Sequence, residues 1–109
     1  MNLDRDVRNY GYSVDDFELS PFELVDMLDL RSRLHENYNK LDEFSRQQLK
    51  NYDKILLLNA KEMYKALSSV YDFDNDKPFD EWWWHLDKVA QGLLNPDISA
   101  MYKKKDYVM

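Results

Sequence analysis

Cysteine is absent from the 109-residue chain, which excludes disulfides, thiolate metal sites, iron–sulfur clusters and cysteine nucleophiles. Glycine and proline are scarce, confined to Gly11, Gly92, Pro21, Pro78 and Pro96. None falls between Phe22 and Lys77, so the longest part of the chain carries no strong helix breaker. Long apolar runs are also missing: Ile55-Leu56-Leu57-Leu58 is the longest, far short of the ~20 residues a membrane span needs. The start, Met1-Asn2-Leu3-Asp4-Arg5-Asp6, lacks the basic start and apolar run of a signal peptide. The expectation is a cytoplasmic protein, a complete short product beginning at Met1, with no membrane partner.

Positive charge is in deficit. Residues 1–53 carry 12 acidic and 7 basic side chains and residues 54–109 carry 9 and 8, which gives −5 and −1 and the net −6. Nucleic acid is not expected as a partner, because such binding starts from a basic face. Lys103-Lys104-Lys105 is the one basic cluster and reads as a solubilising end.

What the chain does have is helix grammar. No alternating β-branched run competes with it. Ser20-Pro21-Phe22-Glu23 combines an N-cap serine, proline at the first helical position and glutamate at the third, with Leu19 and Leu24 as a hydrophobic staple. Ser45 with Gln48, flanked by Phe44 and Leu49, repeats the pattern; Asp80, with Phe79 meeting Trp84, gives a weaker third copy. The fold expected is all-α, an antiparallel three-helix bundle with helices near 21–39, 46–71 and 81–94. Residues 1–19 read as an irregular N-terminal arm, with Tyr10, Tyr12 and Phe17 expected to lie across the bundle, and 96–109 as a tail anchored by Ile98, Met101 and Tyr102, within one domain over 1–109.

The apolar stripes support these spans. Leu24, Met27, Leu34, Tyr38 and Leu41 recur at three- and four-residue steps, as do Leu49, Tyr52, Leu56, Ala60, Met63, Leu67 and Val70. Leu57, Tyr64 and Tyr71 add a second face, so the middle helix is either central or in contact with another copy of the chain. Asn59 sits beside its main stripe, where it either fixes register or keeps its amide in water. Asp29/Arg33 and Glu36/Lys40 read as solvated-face pairs.

Trp82-Trp83-Trp84-His85 is the most unusual segment. Three consecutive residues sweep about 200° of an α-helix, more than the ~100° stripe a core-facing helix buries. At least one ring is therefore expected at or beyond the edge of the core. Trp82 and Trp83 fit the core-facing arc; Trp84 either closes a staple with Phe79 or reaches out to a partner. Trp and Tyr dominate interface hot spots, so Trp82, Trp83, Trp84, His85, Tyr64 and Tyr71 are the candidate binding residues.

Asp72, Asp74, Asp76 and Asp80 lie at positions one, three, five and nine of a calcium-loop spacing. Lys77 stands where that loop needs glycine, Pro78 at position seven and Trp83 where it needs glutamate, so the segment reads first as an acidic interhelical turn. His85, four residues after Glu81, has carboxylate neighbours that general acid–base chemistry uses, and His35 reads as a surface residue. No nucleophile, phosphate loop or third metal ligand accompanies the two histidines. The function expected is a non-enzymatic protein–protein interaction module, self-associating in one version, with no cofactor and no metal. The alternatives are a metal- or small-ligand-binding regulator using loop 72–81, or an enzyme centred on His85.

Overall fold

Ser20 and Pro21 start a helix as their chemistry predicts. In the computed structural model, which describes residues 2–96, Ser20 Oγ accepts the backbone N–H of Glu23 at 3.2 Å and Pro21 holds the first turn of α2 (Pro21–Glu36). The described residues are all-helical. Five α-helices lie among them: α1 (Leu3–Ser13), α2, α3 (Glu43–Leu58), α4 (Ala60–Leu67) and α5 (Leu86–Ala90), with 3-10 turns at Tyr38–Lys40 and Trp82–His85. No helix in this part of the chain is long and apolar enough to cross a membrane. The expected tail anchors Ile98, Met101 and Tyr102, with Lys103, Lys104 and Lys105, lie outside the described residues.

Residues 1–19 are not an irregular arm. Asn2 Oδ1 accepts the N–H of Arg5 at 3.0 Å, and the acidic Asp4 and Asp6 occupy the first turn, where the helix dipole favours them. Val7, Tyr10 and Val14 follow at helical spacing and are fully buried. This helix packs on α2 and α3. Gly11 permits the close approach to α3, because a Cβ there would press on the Tyr52 ring well inside van der Waals contact. Tyr12 and Phe17, expected to lie across the bundle, are instead exposed.

The expected 46–71 helix starts earlier, ends earlier and is divided. Asp42, not Ser45, is its cap, with Oδ1 accepting the Ser45 N–H at 2.8 Å. The Ser45 hydroxyl is used elsewhere, donating to Asp4 Oδ1 of α1 at 2.7 Å; Phe44 is exposed and staples nothing to the core. Asn59 divides α3 from α4. Its Nδ2 donates to the Ile55 carbonyl at 2.8 Å, the side-chain-to-backbone competition that makes asparagine a poor interior helix residue. Leu49, Leu56, Ala60, Met63 and Leu67 nevertheless stay on one buried face across the break.

The expected 81–94 helix is a 3-10 turn followed by the short α5. Asp80 makes no cap here, and Glu81 stands before the turn without a side-chain cap bond. The chain enters instead through a turn in which Glu81 N donates to the Pro78 carbonyl at 3.1 Å. Tighter winding changes where the tryptophans point. At three residues per turn, successive side chains diverge by about 120°, so the rings fan out around the whole turn. All three are buried, at 1%, 0% and 3% exposure. The ring expected at the core edge is enclosed because α2, α5 and the 71–81 segment surround the turn. Each indole removes about 150–250 Å² from water, roughly 4–6 kcal/mol at about 25 cal/mol/Å².

Candidate functional site

Three arrangements carry the polar chemistry of the described residues: a buried charged triad, the hydrogen-bonded tryptophan turn, and a groove in front of it. The triad joins three helices. Arg31 of α2 donates Nε to Asp53 Oδ1 at 2.9 Å and Nη2 to Oδ2 at 3.1 Å, a bidentate fork. Tyr10 of α1 donates its hydroxyl to the same Oδ1 at 2.6 Å. Asp53 and Arg31 are 0% and 1% exposed, and the Arg31 guanidinium stacks 4.2 Å from the centre of the Trp83 ring. A charge cancelled and shielded in this way reaches no substrate; its work is structural.

In the turn, the indole N–H groups of Trp83 and Trp84 both donate to Ser32 Oγ, at 2.9 and 2.8 Å. One hydroxyl of α2 thus satisfies two buried donors. Asn75 ties the preceding segment to the turn by donating Nδ2 to the Trp84 carbonyl at 3.2 Å. Phe79 is exposed and rests on His85 at a ring separation of 4.7 Å, so the expected Phe79–Trp84 staple is replaced by a cover over the histidine. The face of Trp84 instead meets Lys77 Nζ at 4.9 Å and the Tyr71 ring at 5.3 Å.

His85 is 1% exposed, with Nε2 2.7 Å from the Lys77 carbonyl. That bond makes Nε2 the donor and seals the ring inside the protein. His35 is half-buried, its ring against the edge of Trp83 at 5.3 Å, and not on the open surface. The carboxylates of loop 72–81 do not converge: among the described residues no three His, Asp or Glu side chains are placed to hold a metal ion. The loop satisfies itself through Asx turns, with Asp72 Oδ1 accepting the Asp74 N–H at 2.9 Å and Asn75 Oδ1 the Lys77 N–H at 3.0 Å.

Of the six candidate binding residues, the four of the tryptophan turn are therefore interior, whereas Tyr64 and Tyr71 reach the surface. Both rings pack edge-on against Phe73, at 5.2 and 4.9 Å, and Tyr71 lies against Trp84 behind it. Together they line an open groove of about 570 Å³ shared with Asp72, Asp74 and Asp87. Asp87 is mostly buried. Its Oδ2 lies 3.4 Å from Lys88 Nζ, while Oδ1 is buried without a hydrogen-bond partner. Lys88 Nζ also donates to the Phe73 carbonyl at 3.2 Å.

Burial, then the negative charges of Asp29 and Asp72, raise the Tyr71 hydroxyl above its ordinary value of 10.0. A folded value above the unfolded one means that the folded chain holds its proton longer. The resulting stability is complete below about pH 10 and is lost as pH rises through the folded value. Urea midpoints of the wild type and Tyr71→Phe are accordingly expected to run parallel up to pH 9 and then diverge, the wild type declining more steeply. Parallel curves to pH 11 would show that the hydroxyl is not perturbed.

Arg31, Asp53 and Ser32 had no place among the candidate residues. The signal was present for two of them: Asp53 lies four residues after Leu49 and three before Leu56, and Arg31 three before Leu34. Each is a charge of opposite sign set on a buried stripe. Ser32 is marked by nothing local, because its partners lie 51 and 52 positions away. Comparison of the chain with protein-family models, with curated proteins and with solved structures finds no match in any of the three, so its function is read from geometry alone.

Proposed function

We propose that the chain is a cytoplasmic, non-enzymatic binding module that engages a partner protein through the groove in front of Tyr64 and Tyr71. The observation that carries this reading is the composition of that groove: two half-buried tyrosines on an aromatic floor, facing the residues Asp72, Asp74 and Asp87. Tyrosine offers a large, stiff contact area at small entropic cost and keeps a hydroxyl for water or a partner. The tryptophans serve this surface from behind, as Trp84 does by backing Tyr71. An enzyme centred on His85 is disfavoured by the burial of that ring under Phe79. The absence of cysteine fits a reducing compartment.

A photo-activated cross-linking residue at Ser69, in the groove lining, tests the proposal in the native cell against the same residue at the exposed Glu43. The expected result is a discrete adduct from position 69 that Tyr71→Ala abolishes and position 43 does not give. An adduct of twice the chain mass identifies the partner as a second copy. Equal adducts from both positions, or none, would overturn the groove as the binding surface.

A further inference from the structure

Helix α1 runs parallel to α3, since Asp4 meets Ser45 and Tyr10 meets Asp53, and antiparallel to α2, since Asp6 meets Arg33. The ends of α1 and α3 and the start of α2 therefore share one end of the molecule. Tyr12 in the last turn of α1, Phe17 in the connection, Phe22 in the first turn of α2 and Leu58 closing α3 all belong to it. These are four of the seven large apolar side chains exposed among the described residues. Tyr12 lies two residues after the buried Tyr10, and Phe22 two before the buried Leu24, a step of about 200° on an α-helix, so both rings turn away from the core. Two tight turns hold the connection, with Asp16 N donating to the Ser13 carbonyl and Leu19 N to that of Asp16, both at 3.4 Å. Tyr12, Phe17 and Phe22 are 71%, 43% and 70% exposed. At about 150–250 Å² per aromatic side chain, the three rings leave roughly 300–450 Å² open, as much as the largest apolar patch of a typical monomer, about 300–600 Å².

Charge selects what covers this face. Between Arg8 and Arg31 stand Asp15, Asp16, Glu18, Glu23, Asp26 and Asp29, and no basic side chain. The other 15 acidic and 15 basic side chains cancel, so this stretch accounts for the whole net charge of −6. Asp26 and Asp29 follow Phe22 at four- and three-residue steps, on the same exposed face of α2. Neither α1 nor α3 has a basic residue in its last turn, so two negative helix ends add to the carboxylates against the one positive end of α2. Lys54 and Lys61 are the exposed bases of the adjoining stretch of α3 and α4, too few to offset six acids. A second copy would bring the same six carboxylates against them, and nucleic acid or an anionic membrane would bring phosphates; like charges brought together this way oppose binding.

We infer that the α1–α2 corner is a docking surface for a cationic amphipathic segment of a partner protein. Its apolar anchors cover Tyr12, Phe17 and Phe22, and its lysines and arginines face the surrounding carboxylates, the apolar centre and polar rim of a protein interface. Cations that overlie the exposed rings gain a further attraction from the ring faces. The surface lies on different elements from the groove at Tyr64 and Tyr71, so it stands or falls separately from that site. Because its carboxylates are exposed, the attraction weakens with salt.

The test uses the full chain and three blocked peptides, each two copies of one heptad, titrated by calorimetry at about 0.1 M salt. Leu-Lys-Lys-Leu-Leu-Lys-Lys carries both anchors and charge. Its second form has glutamate for lysine, and its third has serine for leucine. The first is expected to bind with Kd below about 100 μM, and the other two about tenfold or more weakly. Tyr12→Ser with Phe22→Ser should weaken the first peptide about tenfold or more, with unchanged circular dichroism because both rings are exposed. Phe44→Ser, an exposed ring at the opposite end, should leave it unaltered. Asp15→Asn with Glu18→Gln should weaken it about threefold and flatten its salt dependence, whereas Asp74→Asn with Asp76→Asn should not. Full affinity in the Tyr12/Phe22 variant, an equal loss in Phe44→Ser, equal binding of the glutamate peptide, or no binding of the lysine peptide would each overturn the inference. So would dimerisation of the free chain, or binding to phosphatidylcholine vesicles, that Phe22→Ser abolishes, since the face would then belong to a second copy or to lipid.

Discussion

Asp53→Ala is expected to lower the unfolding free energy by about 3–5 kcal/mol, because it leaves the Arg31 guanidinium charged, buried and without its carboxylate. Whole domains of this size are stable by only about 5–15 kcal/mol, so the variant should sit near the edge of folding at 25 °C. The carboxylate also accepts the Tyr10 hydroxyl at 2.6 Å, so its removal strands a second donor and loosens α1. Urea titration followed by circular dichroism measures the effect. The companion variants separate its parts. Tyr10→Phe, which deletes one hydrogen bond to a charged acceptor, should cost about 1.5–3 kcal/mol. Arg31→Met with Asp53→Leu and Tyr10→Phe, which removes both charges and the hydroxyl that depends on them and fills the space with apolar atoms, should recover most of the loss. A single-variant loss under 1 kcal/mol would mean that water reaches the pair.

Ser32→Ala is expected to cost about 2–4 kcal/mol, an unusual effect for deleting one oxygen from a half-buried position. The hydroxyl accepts from both Trp83 and Trp84, and each buried donor left without a partner costs about 1–3 kcal/mol. Ser32→Thr keeps the oxygen and should retain most of the stability. Coupling gives the sharper test. With Trp83→Phe already in place only one indole depends on the oxygen, so Ser32→Ala should then cost about half as much. An undiminished cost in that background would place the effect in packing and not in the shared hydroxyl. Tryptophan emission should move to longer wavelength in Ser32→Ala as water comes to the stranded indoles.

Local chemistry made part of this architecture legible. The α2 start was readable because Ser20 and Pro21 satisfy and preset the first turn using only their neighbours, and the buried stripe of α3 and α4 because its spacing is set by helix geometry. The break at Asn59 was not, since asparagine divides a helix only where its amide turns back to a carbonyl, and no glycine or proline announces that choice. The α1 helix was hidden by its own short stripe: Val7, Tyr10 and Val14 become a core face only when Asp53 and α2 are there to receive them. At the tryptophans the failure was one of pitch. Three rings in a row look over-supplied to an α-helix and are fully used by a 3-10 turn. For the candidate site, Tyr64 and Tyr71 could be named from their seven-residue repeat. The carboxylate that faces them across the groove, Asp87, comes from the other side of the tryptophan turn, beyond the reach of any local pattern.

The Tyr10–Asp53 bond also fixes an order of events during synthesis. The two residues are separated by 43 positions, and a ribosome adding about 5–20 residues per second needs about 2–9 s to cover that interval. Through it the Tyr10 hydroxyl has only water to bond, and Val7, Tyr10 and Val14 have α2 but not α3 to pack on. The segment that leaves the ribosome first is thus completed only by one made later, since the buried partner of its tyrosine lies on α3.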